Sequence, residues 1–237
     1  MAHSNTAKDK FAALSTPTKY SLVDEIVTQL RAAIVKGQFE AGELLYETSL
    51  AQHMGVSRGP IREALNQLER EGLIVKEPNK SASVAQLSRE DLDEVYSLRF
   101  ALERLAVQEA VRKGQPEDFD RMQEIVDAMS RAVDRGMTEQ EAAELDLNFH
   151  EALLEAGRHR RLCGSWLTLR PQIHVFLLSR NVANPDFREV AVNRHILLLN
   201  AIRERDEERA IAIIEEHIRS SYDRIVADYR PSKPENY

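Results

Sequence analysis

From Ser88 to Tyr229 the chain keeps a helical rhythm of apolar residues, shows no convincing strand, and breaks at Gly114, Gly136, Gly157 and Asn184-Pro185. Those breaks predict six amphipathic helices at about 89–113, 116–135, 138–156, 160–180, 186–204 and 206–229. Pro116 and Pro185 fall at helix starts, where a missing N–H does little harm. Long helices with short connections must pack as antiparallel neighbours, so this stretch reads as an all-α six-helix antiparallel bundle. Composition agrees: 9 Gly and 8 Pro are few beside the abundant Ala, Leu, Glu and Arg.

The stretch before it is mixed. Leu22, Ile26, Leu30 and Ile34 recur at helical spacing and stop near Gly37. A short helix with Leu50, Ala51 and Met54 inward ends at Gly55. Ser57 is placed to cap a third helix, whose stripe is Ile61, Ala64, Leu65 and Leu68 and whose end is Gly72. Leu73–Lys76 and Ser81–Val84 read as a hairpin around Pro78-Asn79. At the junction, Ser88 and Asp91 have the spacing of a capping box. The expected organisation is a flexible tail at 1–19, a winged helix-turn-helix domain at 20–87, the helical domain at 88–229 and a C-terminal tail at 230–237. The fold class is mainly α.

Charge separates the two halves. The first 88 residues carry as many basic as acidic side chains, so the whole excess of −7 lies beyond them. The N-terminal part is therefore free to present a local basic face. One cysteine, Cys163, excludes an intramolecular disulfide and a cysteine-based metal cluster. No apolar run reaches the roughly 18 residues of a membrane span, and the opening residues lack the apolar core of a secretory signal. The expectation is a cytoplasmic protein with no membrane partner.

A helix–Gly–helix–hairpin unit places its second helix in the major groove of duplex DNA. That helix begins with Arg58 and Arg62, four apart and on one face, with Asn66 continuing the row. Arginine reads guanine through O6 and N7. Ser57 and the free N–H groups of the first turn suit a phosphate, and Lys80 at the hairpin tip suits a phosphate or the minor groove. Outside such a unit, an arginine pair at this spacing would be read as solvated charge.

The helical part carries a second pattern. Asp146 and His150 in "DLNFH" point the same way from one helix, His195 lies in the fifth helix and His217 in the sixth. If all face inward they form a set of three nitrogens and one oxygen. Imidazole suits zinc, nickel, iron or copper, and the carboxylate widens the choice to manganese. On spacing alone the signal is weak, because a histidine on an apolar helix face is more often a satisfied core residue.

Ala41 to Val75, "AGELLYETSLAQHMGVSRGPIREALNQLEREGLIV", resembles the N-terminal domain of the GntR family of bacterial transcription regulators. "LRFALERLAVQEAV" from Leu98, "ELDLNFHEALLEAG" from Glu144 and "NRHILLLNAIRERDEERAIAIIEEHI" from Asn193 resemble the effector domain of the FadR subfamily, the FCD domain, in its six-helix VanR-like branch. The resemblance implies DNA contacts by Ser57, Arg58 and Arg62, with a wing contact near Lys80. Thr48 stands where many members carry a base-contacting Arg, and Asn79 where the wing tip is often Gly. In metal-binding members the ligands match Asp146, His150, His195 and His217, so one divalent ion per chain is implied: zinc, nickel or manganese, with zinc favoured. Arg99 matches an arginine directed into the effector cavity, and His174 is a second effector-binding candidate. A salt bridge to a nearby acid such as Glu103 is the ordinary alternative for Arg99, and a core or surface histidine for His174. His159, Arg205 and Arg194 depart from the common Asn, Gly and acidic residue at their positions.

The function implied is a metal-containing transcription regulator, most often a repressor, that binds a palindromic operator as a homodimer and responds to a small carboxylate. A regulator whose signal is the ion itself is the alternative. A metalloenzyme fits less well, because no general base accompanies the ligands and the paired Glu-x-x-His motifs of di-iron bundles are absent. An acyl-CoA-responsive regulator would not call for the metal ligands.

Overall fold

A computed structural model of the chain describes residues 22–76, 81–183 and 187–228, with the side chains of 179–191 and 228 excepted. The predicted tails at 1–19 and 230–237, the Pro78-Asn79 turn, Lys80 and the Asn184-Pro185 break lie outside the described residues.

The N-terminal unit runs α1 (Leu22–Val35), β1 (Leu44–Leu45), α2 (Glu47–Met54), α3 (Arg58–Arg70), β2 (Ile74–Val75) and β3 (Ala82–Val84). Ile26, Val27, Leu30 and Ile34 of α1 share one core with Ile61, Ala64, Leu65 and Leu68 of α3. The spacing predicts this stripe except at its first residue: Leu22, read as part of it, is half exposed at the start of α1, and Val27 is buried beside the other three. Gly55 ends α2 in the left-handed region, at φ 68°, where glycine alone among common residues is unstrained. Ser57 does occupy the N-cap of α3, but its side chain makes no capping hydrogen bond. Its hydroxyl therefore stays exposed rather than satisfying the first turn.

The hairpin strands β2 and β3 pair antiparallel, Ile74 opposite Val84. A strand that periodicity did not indicate, β1, pairs with the other edge of β3, Leu44 opposite Ser83. Two residues are too few to carry an alternating pattern, so only tertiary pairing reveals this strand.

Six helices follow: α4 (Arg89–Lys113), α5 (Pro116–Asp134), α6 (Glu139–Ala156), α7 (Arg160–Ala183), α8 (Phe187–Arg203) and α9 (Glu207–Asp228). Ser88 and Asp91 close a reciprocal capping box at the start of α4, which satisfies two otherwise orphaned backbone donors. One continuous core runs through all six helices, with Leu92, Met122, Phe149, Trp166, Leu199 and Ile214 among its fully buried side chains.

The two units touch through α7. Gln172 donates to the Glu71 carbonyl at 2.9 Å, and Val175 packs on the N-terminal core. Gly72, at φ 69°, leaves the room: a Cβ there would lie 2.1 Å from Gln172 Nε2. Glu71 is in turn gripped by both forks of Arg31, at 2.8 Å and 2.6 Å.

Two of the unusual residues prove locally compensated. His159 precedes α7 and its Nδ1 accepts from the Leu162 N–H at 3.2 Å, as a capping Asn oxygen would. Arg205 takes a left-handed backbone, φ 59°, a conformation that costs a side-chain-bearing residue about 1–2 kcal/mol. Its guanidinium reaches the end of α4, donating to the carbonyls of Ala110 and Val111, and to that of Gly114 at 2.6 Å. The carbonyls of Val111 and Gly114 lie at the end of α4, where helix geometry supplies no partner, while that of Ala110 also accepts from the Gly114 N–H. Arg205→Ala keeps the strain and loses the contacts, so its unfolding free energy is expected to fall by about 1–2 kcal/mol. Arg205→Gly relieves the backbone and should lose less. Urea unfolding followed by circular dichroism reads both. An Arg205→Ala protein as stable as the wild type would contradict the capping role.

Candidate metal centre and nucleic-acid interface

Inside the helical bundle, α6 carries Asp146 and His150 one turn apart, and α8 and α9 bring His195 and His217 to the same point. Each residue offers one ligand atom, and these four atoms lie within 4.8 Å of one another. All four residues are buried. His195 Nε2 and His217 Nε2 stand 3.5 Å and 3.6 Å from Asp146 Oδ1, and His150 Nε2 stands 3.6 Å from Oδ2. The Nε2 atoms of His150 and His217 are 3.1 Å apart. With ligand bonds of about 2.1 Å, a coordination tetrahedron has edges of about 3.4 Å and an octahedron about 3.0 Å. Four of the spacings, from 3.1 to 3.6 Å, lie near such edges, and the donor types suit a divalent transition metal.

The surroundings fix this arrangement. His150 Nδ1 lies against Glu103 Oε2, which turns Nε2 toward the cluster. A carboxylate on the far nitrogen is the usual support of a ligating histidine. Glu103 also accepts from Arg99 Nε at 2.6 Å, and Arg99 Nη2 reaches Asp146 Oδ2 at 3.4 Å. Arg99 thus makes the salt bridge to Glu103 and faces the cluster at once. Burial pushes the Glu103 carboxyl up, but His150 and Arg99 outweigh it and hold the group at about 2. Burial also raises Asp146, and His150, His217 and Arg99 together bring it well below the ordinary carboxylate range. Burial pushes the His217 imidazole below its ordinary value, against the pull of Asp146. Two buried carboxylates therefore face one guanidinium.

Four further buried nitrogens have no hydrogen-bond partner among the described residues: Arg99 Nη1, Trp166 Nε1, His174 Nε2 and Arg170 Nε, the last lying 3.2 Å from Glu151 Oε2 as an ion pair. Trp166 is close to the cluster, with its ring 6.2 Å from that of His150. His174 stands outside the four-residue set. Its Nδ1 is 3.5 Å from Glu144 Oε1, and burial pushes its imidazole down while Glu144 pulls it up.

On the N-terminal unit, Thr48, Arg58, Arg62 and Asn66 line one open groove together with Glu47 and Lys76. Ser57 is exposed at the start of α3, one residue before Arg58. The sequence pattern did not single out Glu47. Its Oε2 accepts from Arg58 Nη2 and Arg62 Nη2, each at 3.0 Å, and its Oε1 from Arg62 Nε at 3.1 Å. Nor did it place Trp166 or the Glu103–His150 contact. A buried acid four residues after an arginine, on an otherwise apolar helix face, was the available signal for Glu103.

Among the described residues no helix is long and apolar enough to cross a membrane. Comparison with known proteins shows where the chain belongs. Residues 22–84 match the bacterial regulatory proteins of the gntR family, and residues 94–220 match the FCD domain. The HTH-type transcriptional regulator YdhC of Bacillus subtilis is 30% identical over 197 residues, covering 83% of this chain and 87% of the relative. The gluconate operon transcriptional repressor of Bacillus licheniformis is 29% identical over 188 residues, covering 77% and 76%. The solved structure of Escherichia coli McbR/YncC superposes with a TM-score of 0.77 at 25% identity, covering 89% of this chain and all of that one. The chain belongs to the GntR family of DNA-binding transcription regulators, in the group whose C-terminal part is an FCD domain.

Proposed function

We propose that the protein is a metal-containing repressor that binds a palindromic operator as a homodimer and releases or changes its grip when a small carboxylate enters the helical domain. One observation carries the reading: four buried ligand atoms, three imidazole and one carboxylate, converge within 4.8 Å inside the bundle. Asp146, His150, His195 and His217 would hold the ion, zinc in preference to nickel or manganese. Its chemistry there is to offer coordination positions to an oxygen donor.

Charge supports an anionic effector. With neutral imidazoles, as metal ligation requires, Arg99, Glu103 and Asp146 sum to one negative charge. A divalent ion turns that into one positive charge among buried groups, which favours an anion. Arg99 Nη1 and Trp166 Nε1, buried and unpartnered among the described residues, are donors for its oxygens, and His174 Nε2 joins them in the tautomer that carries the proton there. An ion acting as the sole signal leaves those groups without a role. The relative that represses a gluconate operon is consistent with repression and with an organic-acid signal.

On the DNA side, Arg58, Arg62, Asn66 and Thr48 would read base edges from α3 and α2, while Ser57 would meet a phosphate and Lys80 a phosphate or the minor groove. A homodimer would set two such helices about 34 Å apart, one turn of the duplex. The effector acts by binding one dimer geometry better than the other. We place the domains at 20–87 and 88–229, with tails at 1–19 and 230–237, and the protein in the cytoplasm.

The direct test is a thermal-shift screen of small carboxylic acids, before and after metal stripping. A ligand of the native state raises the melting temperature by mass action. Acids that stabilise the loaded protein and lose their effect on stripping are expected, and acids that act equally on both would contradict a metal-centred effector site. His195→Ala is expected to lower metal content well below one ion per chain while the far-ultraviolet spectrum stays helical. Full metal occupancy in that variant would remove His195 from the ligand set. Arg62→Ala is expected to weaken operator binding by about 1–3 kcal/mol at fixed salt, and unchanged affinity would overturn the docking of α3.

A further inference from the structure

The carboxylate of Glu47 sits in the middle of the DNA-facing groove, between the two arginines of α3. An acid in a surface that must meet phosphates weakens attraction to DNA, so its presence asks for a compensating role. The hydrogen bonds define one. Arg62 gives Glu47 the Nε and Nη2 edge of its guanidinium, at 3.1 Å and 3.0 Å. A guanidinium has five N–H donors in a rigid plane. With that edge taken, the Nη1–Nη2 edge at the tip keeps one N–H on each nitrogen, and this pair is the fork that fits guanine O6 and N7. The same Glu47 oxygen accepts from Arg58 Nη2 at 3.0 Å, which fixes the two side chains relative to each other. Both arginines remain more than half exposed and Glu47 is a quarter exposed, so the group is ordered yet open to a ligand. The depressed Glu47 carboxyl, drawn down first by Arg62, keeps the acid charged at neutral pH.

We infer that Glu47 is a specificity-determining positioning residue: it holds Arg62 and Arg58 in a base-reading pose and cancels part of their attraction for phosphate. This rests on the assignment of Arg58 and Arg62 as base-reading residues. Two consequences separate it from a merely structural salt bridge. Losing the carboxylate frees two cations, so affinity for random duplex should rise. Losing the buttress lets Arg62 sample many poses, so preference for guanine should fall. Specific and non-specific binding thus move in opposite directions.

The test is selection from a random duplex DNA library with the full-length protein, as wild type, Glu47→Gln and Glu47→Ala, each checked by thermal melting to be folded. Affinities for the wild-type consensus and for a scrambled duplex are then measured across a salt series. The wild type is expected to enrich a two-fold symmetric consensus containing guanines. The variants should bind scrambled duplex severalfold more tightly, with a salt slope steeper by about one. Their consensus-to-scrambled ratio should fall by about tenfold or more, with guanine positions blurred. A variant that enriches the same consensus with an unchanged ratio overturns the role of Glu47 and leaves base reading by the arginines standing. A wild type that enriches no consensus overturns the base-reading assignment, and this inference with it.

Discussion

Asp146 is the group on which the helical domain turns. Its carboxylate is buried, and a buried carboxylate is costly unless several partners share it. Arg99 from α4, His150 from its own helix, His195 from α8 and His217 from α9 all reach it. Four of the six helices are therefore registered against one side chain. The apolar core supplies most of the burial, but it is tolerant of small slips. A polar cluster with donors and acceptors at 3.1–3.6 Å is not, and it selects one arrangement among the many an apolar core would permit.

The same bundle meets the DNA-binding unit through α7, which faces both ways. His174 and Trp166 are buried near the cluster, while Gln172 and Val175 meet the turn after α3 and the N-terminal core. Only one residue separates His174 from Gln172 along the chain.

Much of this was legible beforehand. Helix boundaries from Ser88 onward follow from glycine and proline breaks and from a capping box, which are local signals. The convergence of Asp146, His150, His195 and His217 was legible only with the family resemblance beside the spacing, because i, i+4 geometry covers one pair and says nothing of α8 and α9. What escaped were contacts made between elements. Glu47 reaches Arg58 and Arg62 across a helix junction, Glu103 reaches His150 from another helix, and β1 is too short to carry a pattern. Each is set by packing, not by local preference. Arg205 is instructive in another way: a residue that looks wrong for its turn is held there by carbonyls at the far end of α4.

The most direct measurement is X-ray absorption at the metal edge of zinc-loaded protein, with metal counted per chain. One zinc per chain is expected, with a first shell of nitrogen and oxygen at about 2.0–2.2 Å and the outer-shell scattering of three imidazole rings. A spectrum without imidazole scattering, or a protein that takes up no stoichiometric metal, would contradict a metal centre built from Asp146, His150, His195 and His217.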